Sequence, residues 1–297
     1  MLKLLSKYQN IHFLLVALQQ ALQELGIPSV IVNEDHFTED LYVVTTIPCY
    51  YCNFPENYIV YNLEQLPAHD SIHGDLSVWS PGLVDRLRKA KQIWDYSPLN
   101  ISLLREKYGL HAYYVPVGYS PILEAYKPLW LHRTYDITLI GAWKPFQRRL
   151  DFTEELFREY ESKPEKILYQ DSHCTTYLGN DLINIYCQSK SLVNVHVYEY
   201  GNILEVVRLL LCVIFKVYIF TEPSFDTILD EEWKPFVEYI TKDSFMERFH
   251  EMLQLSPEQL QTIVEERYQL FVKNNTYVHS FLKSGLDLEA LKNICSH

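Results

Sequence analysis

The stretch Ser191–Asp226, SLVNVHVYEYGNILEVVRLLLCVIFKVYIFTEPSFD, decides the fold. A short apolar run over Leu192–Val197 predicts a buried strand, and Tyr200-Gly201-Asn202 reads as a polar turn. Val206, Leu209, Leu210 and Val213 recur at helical spacing, predicting a helix over about 203–212; Lys216–Phe220 reads as a second strand and Thr221–Asp226 as a polar loop. Strand, helix and strand in this order form a parallel, right-handed crossover unit. Open sheets built from such units bind ligands beyond the C-terminal ends of their strands, so polar residues in these turns are candidate ligand groups. Glu205 falls in the first turn of the predicted helix, whose apolar face anchors on the sheet while the carboxylate can point into a crevice.

Outward from this stretch the same rhythm recurs. Strands are predicted at Leu2–Leu5, Val30–Val32, Leu41–Thr45, Tyr58–Asn62 and Ala112–Val115. Helices are predicted at about 11–25, stopped by Gly26, at about 82–90, and at 98–108, opened by Pro98. A second series starts with the strand Ile137–Ile140 and continues through a helix over about 150–160, the strand Ile167–Tyr169 and a helix over about 179–188. After Asp226 come a strand within Pro235–Ile240 and helices over about 243–253, 257–271 and 276–294. The expectation is an α/β chain with a first Rossmann-like domain at 1–120, a linker at 121–134 carrying Pro121 and Pro128, a second domain at 135–260, and C-terminal helices at 261–297.

Composition narrows the function classes. The chain has 297 residues, 48% of them hydrophobic and 22% charged, which is ample for two cores. Its formal net charge of -12 argues against nucleic-acid partners, because phosphate backbones are held by Lys and Arg. Six scattered cysteines, with one lone Cys49-x-x-Cys52 pair, suit a reducing compartment and no metal ribbon. The longest apolar run, Leu209–Phe215, is too short to span a bilayer, so a cytoplasmic location is expected, that of the host if the protein is viral. Twenty-three tyrosines could line a pocket for a polar ring compound or rim a core.

Five segments taken in order carry a resemblance: YNLEQL at 61–66, IWDYSPLN at 93–100, YYVPVGY at 113–119, DITLIGAWKPFQRR at 136–149 and VNVHVYEYGNILEVVRL at 193–209. Together they resemble the motif series of GT-B-fold glycosyltransferases, particularly small bacterial and large-DNA-virus members, over roughly residues 58–228. The resemblance implies two Rossmann-like domains facing across a cleft, with the last helix returning to the first. It further implies transfer of a sugar from a UDP- or GDP-linked donor to a glycan, glycoprotein or other hydroxyl acceptor, with no cofactor beyond the donor. Glu205 then matches a glutamate that holds the donor ribose, Gly141 the glycine after the first donor-domain strand, and Arg148 and Arg149 a pair facing the diphosphate. Tyr198, Gly201 and Asn202 fall in the same donor motif, and His196 is either a core histidine or a donor contact.

Two departures shape the expected mechanism. Retaining members of the superfamily usually carry two glutamates with seven residues between them, whereas Glu199 precedes Glu205 by only six positions. An inverting enzyme needs one general base near the acceptor, and Glu64, Asp35 and His36 are the candidates at strand ends of the first domain, Glu64 having a capping role as its alternative. No Asp-x-Asp triplet occurs; Asp287-Leu288-Glu289 reads as a solvated helix face, so a metal-independent reaction is expected. A sugar-nucleotide epimerase and a non-catalytic carbohydrate- or nucleotide-sugar-binding protein are the alternatives, while the absence of GxGxxG after any strand disfavours a dinucleotide oxidoreductase. The sequence leaves the oligomeric state open.

Overall fold

The computed structural model describes residues 1–5, 11–33, 36–45, 54–126, 133–141, 146–171 and 180–295. The chain divides into two compact units. Unit 1 comprises Met1–Leu123, Tyr200–Ile203 and Asn274–His297; unit 2 comprises Glu124–Glu199 and Leu204–Lys273. Where boundaries were expected at 120, 135 and 260, the units part at 123/124, 199/200, 203/204 and 273/274.

Unit 1 holds a six-stranded parallel sheet made of β1 (Leu2–Leu5), β2 (Ser29–Val32), β3 (Tyr42–Thr45), β4 (Tyr58–Asn62), β5 (Gln92–Asp95) and β6 (Tyr113–Tyr114). Their order is β2-β1-β3-β4-β5-β6. All five residues of β4 are buried, as a central parallel strand covered on both faces requires. The covering helices are α1 (His12–Glu24), α2 (Leu66–His73), α3 (Leu76–Trp79), α4 (Leu83–Lys89) and α5 (Pro98–Tyr108). Leu66, Leu76, Leu83, Leu87 and Leu104 from these helices close one core over Val44, Val60 and Ile93. The helices α2 and α3 were not expected from the sequence; α3 spans one turn, capped by the Asp75 carboxylate on the Ser77 N–H at 2.6 Å.

Unit 2 holds a five-stranded parallel sheet of β7 (Tyr135–Gly141), β8 (Ile167–Asp171), β9 (Ser189–Asn194), β10 (Tyr218–Thr221) and β11 (Glu238–Tyr239), in the order β11-β10-β9-β7-β8. Its helices are α6 (Gln147–Glu159), α7 (Asn180–Gln188), α8 (Val206–Ile214), α9 (Thr227–Trp233), α10 (Lys242–Gln254) and α11 (Pro257–Asn274). Counted within this sheet the order is 2-1-3-4-5, the doubly wound arrangement, so its topological switch lies between β7 and β9. The strand expected at 192–197 runs instead over Ser189–Asn194. Ser189 and Ser191 are buried there because their hydroxyls are satisfied, Ser191 by the Asp136 carbonyl at 2.7 Å and Ser189 by the Ile185 carbonyl at 2.6 Å.

The final residues belong to unit 1, with α12 (Tyr277–Lys283) and α13 (Leu288–Cys295) in place of the single helix expected over 276–294. Gly285, at φ 76°, turns the chain between them. Tyr119 N–H donates to the Asn275 carbonyl at 2.7 Å and its carbonyl accepts the Tyr277 N–H at 3.0 Å, while Phe281 packs edge-on to Trp94 with ring centroids 5.3 Å apart.

Candidate functional site

The switch point of unit 2 gathers charged side chains from four separate elements. Asn194 ends β9 and is fully buried; its side-chain N–H groups donate to Glu205 Oε2 at 2.7 Å and Thr221 Oγ1 at 3.0 Å. Its Oδ1 accepts from Arg208 Nη1 at 2.5 Å. Glu205 occupies the N-cap position of α8 rather than its first turn, and its carboxylate turns inward instead of capping the helix. The apolar face of α8, with Leu209, Leu210 and Val213 buried, fixes that position. Burial alone would raise the Glu205 pKa, but His196, Arg208 and Arg149 outweigh it and hold the carboxyl well below the usual carboxylate range.

His196 lies beyond the end of β9, not in mid-strand, and is fully buried. Its Nε2 faces the Glu222 carbonyl at 3.1 Å, and its Nδ1 stands 3.0 Å from Glu205 Oε2, close enough for strong attraction though not aligned as an in-line hydrogen bond. Both ring nitrogens thus face acceptors, and only the doubly protonated imidazolium suits both. Burial opposes that charge, yet Glu205 and Glu222 reverse the effect and raise the His196 pKa.

The arginine pair sits in the first turn of α6, which starts at Gln147, earlier than expected. Arg149 is buried, donates Nε–H to the Val195 carbonyl at 2.7 Å and lies 3.9 Å from Glu205 Oε1. Burial, with Arg208 beside it, pushes its pKa down to about 10, which leaves it charged at neutral pH. Arg148 forms a two-pronged pair with Glu222, Nη1 to Oε2 at 2.7 Å and Nη2 to Oε1 at 2.6 Å, and also donates to the His196 carbonyl at 2.8 Å. Gly141, at the end of β7, has φ 142°, and a Cβ there would lie 3.1 Å from Arg149 Nη1 and 3.2 Å from Arg208 Nη2. Only glycine gives both guanidinium groups that room. The guanidinium groups of Arg148, Arg149 and Arg208 outnumber the Glu205 and Glu222 carboxylates they face, and His196 adds to them when protonated, in a chain whose formal net charge is -12. Such a cluster at a sheet's switch point is suited to a doubly charged anion.

Sequence reasoning missed Asn194, Arg208 and Glu222. Arg208 stands three positions after Glu205, on one helix face, and Glu222 lies in the polar loop after β10, so signals for both existed.

Unit 1 presents a different feature. Glu64 follows β4, and its backbone is pinned: its carbonyl accepts from Asn100 Nδ2 at 2.8 Å and Asn62 Nδ2 at 3.2 Å, and its N–H donates to Asn62 Oδ1 at 3.3 Å. Asn62 and Asn100 are held in turn by the buried carboxylate of Asp95, at 2.7 and 2.8 Å. No hydrogen bond or ion pair engages the Glu64 carboxylate among the described residues, and burial raises its pKa to about 7. A proton acceptor that titrates near neutrality on a rigid loop has the properties of a general base. His36 is exposed, and Asp35 lies outside the described residues, as does the Cys49/Cys52 pair. Gly201 and Asn202 belong to unit 1: a Cβ on Gly201 would come within 2.6 Å of the Pro67 backbone, and Ile203 N–H donates to Gln65 Oε1 at 2.9 Å. Asn202 is buried, and Tyr198 is half-buried in the turn after β9.

Asp287 caps α13 on the Ala290 N–H at 2.9 Å and Glu289 pairs with Lys292 at 2.6 Å, a helix-surface arrangement. Among the described residues, no group of three or more His, Cys, Asp or Glu side chains is gathered to hold a metal, and no helix is long and apolar enough to cross a membrane.

The architecture is the GT-B fold: two Rossmann-like α/β units, with the chain's last helices belonging to the first. A glycosyltransferase involved in avilamycin A biosynthesis superposes with a TM-score of 0.55 at 10% identity, covering 99% of this chain and 98% of that one. A UDP-forming α,α-trehalose-phosphate synthase from Burkholderia xenovorans gives 0.54 at 12% identity, over 85% and 74%. A proposed UDP-N-acetylglucosamine 2-epimerase from Listeria monocytogenes gives 0.50 at 10% identity, over 94% and 92%. No protein-family model and no curated protein matches the sequence. At these identities the likeness defines the fold alone.

Proposed function

We propose that the protein is a glycosyltransferase that moves a sugar from a UDP- or GDP-linked donor to a hydroxyl of a glycan or glycoprotein acceptor. The observation that carries this reading is the net positive cluster of Arg148, Arg149, Arg208 and His196 around Glu205 at the switch point of unit 2. In this reading the arginines neutralise the charge that grows on the departing nucleoside diphosphate, without a metal. Glu205 orients the donor ribose, using the Oε1 that lies 3.9 Å from Arg149 and is not occupied by Asn194. Glu64, with its pKa of about 7, takes the proton of the acceptor hydroxyl. One base and no second, correctly spaced glutamate favour inversion at the anomeric carbon. The epimerase among the similar folds keeps a second reading in view.

Incubation with each of several nucleotide sugars and a mixture of glycan acceptors separates the readings. A glycosyltransferase releases nucleoside diphosphate and extends the acceptor; an epimerase isomerises the sugar without needing an acceptor; a binding protein does neither. Isomerisation alone, or binding without release, would overturn the proposal.

A further inference from the structure

Arg148 enters the switch-point cluster already occupied. Its guanidinium fork grips the Glu222 carboxylate through two parallel bonds of 2.7 and 2.6 Å, the geometry in which arginine also takes a phosphate. The Arg148 side chain is 36% exposed, while that of Glu222 is 11% exposed. The arginine is therefore the more accessible partner and the glutamate the more buried one, and moving Arg148 also gives up its bond to the His196 carbonyl at 2.8 Å.

Glu222 is held independently of Arg148. Its N–H donates to the Asn194 carbonyl at 3.2 Å, its carbonyl accepts from Thr221 Oγ1 at 3.2 Å and faces His196 Nε2 at 3.1 Å, and its Oε2 accepts the His196 N–H at 2.9 Å. Losing Arg148 would leave the carboxylate hydrogen-bonded where it is. The long arginine side chain, rooted in the first turn of α6, can instead reorient to another anion.

We infer that Glu222 is a built-in competitor for the donor's diphosphate: it latches Arg148 when no anion is bound, and Arg148 exchanges this carboxylate for a phosphate when one arrives. The inference rests on the reading of unit 2 as a diphosphate site. Its consequence is that Glu222 weakens diphosphate binding, which favours release of the product. A glutamate that merely stabilised the loop would have the opposite effect when removed.

The test is calorimetric titration of the full chain with inorganic pyrophosphate, UDP and GDP, comparing wild type, Glu222→Gln, Arg148→Ala and the double variant. Glu222→Gln should bind UDP or GDP about tenfold more tightly, with a steeper loss of affinity on adding salt. That gain should vanish when Arg148 is also replaced, because no guanidinium remains to be released. Thermal unfolding of each variant identifies those that have lost the fold; Glu222→Asp, which keeps the charge, should stay near wild type in affinity. Unchanged or weaker binding by a folded Glu222→Gln overturns the inference, as does a gain that persists without Arg148. Failure of wild type to bind any of the three probes would instead overturn the diphosphate-site reading on which it rests.

Discussion

Individual side chains at the switch point are held by electrostatics more than by packing. His196 is buried between a carbonyl and a carboxylate, so the fold favours its charged form, and Glu205 supplies the counter-charge. The raised His196 pKa contributes stability that is complete below about pH 6.5 and is lost as pH rises through the folded value. The depressed Glu205 pKa contributes stability that is present above about pH 4.3 and is lost only as pH falls through its low folded value. Denaturant titrations across pH 5–9 should therefore show wild type losing more stability on the alkaline side than His196→Gln; parallel curves would contradict the imidazolium. Glu205→Gln removes the larger of the two carboxylate counter-charges to that cation, leaving Glu222, and should cost about 3 kcal/mol besides weakening donor binding. In unit 1 the raised Glu64 pKa acts in the same direction as that of His196 and opposite to that of Glu205: stability falls as pH rises from about 4.3, the unfolded value, to about 7, above which the full cost is present. Glu64→Gln should thus be more stable than wild type at pH 8, by up to roughly 3 kcal/mol, an advantage that shrinks as pH falls and disappears below about pH 4. Transfer by the same variant should drop by about 10² to 10⁴, and wild-type transfer should rise through about pH 7. A stable Glu64→Gln with near-normal turnover would remove Glu64 as the base. At this scale the sequence singled out Glu205, Arg148 and Arg149 as charged residues beside predicted helix starts, and the structure brings them together at one switch point. It gave no signal for Asn194, whose contacts are made with partners distant in the chain, whereas Arg208 and Glu222 stood at readable places that were not singled out.

Among the elements, those with strong apolar periodicity were legible: β4 and α5 lie where the pattern put them. Element β9 did not, because its Ser189 and Ser191 read as loop until their hydroxyls find buried carbonyls. That displacement matters, since it moves His196 out of the strand and into the turn where charges meet. The short helices α2, α3 and α9 lack enough turns to show a period, and the break between α12 and α13 depends on one left-handed glycine. Docking of α12 on the rest of unit 1 rests on Gly118, where a Cβ would stand 2.5 Å from the Tyr277 nitrogen. Because that neighbour is backbone, Gly118→Ala must displace α12, and it should cost roughly 1–3 kcal/mol in chemical denaturation. A neutral Gly118→Ala would mean that α12 is not packed against this loop as described.

Over the whole chain, the alternation of strands and helices anticipated two α/β units with parallel sheets, and the resemblance carried by the ordered motifs anticipated the GT-B architecture. Net charge was a poor guide to the site: a chain of formal charge -12 concentrates net positive charge at one switch point. In the proposed metal-free reaction, transfer in excess chelator should equal that of untreated protein; a loss restored by magnesium or manganese would reject that reading. The central claim is that the cluster in unit 2 binds the diphosphate of a nucleotide sugar. Calorimetric titration of the full chain with UDP, GDP and their sugars, in chelator and at two salt concentrations, tests it most directly. The account predicts saturable one-site binding of at least one of them, weaker at higher salt and at least tenfold weaker in Arg208→Gln; absence of binding by every nucleotide, or affinity indifferent to Arg208, would contradict it.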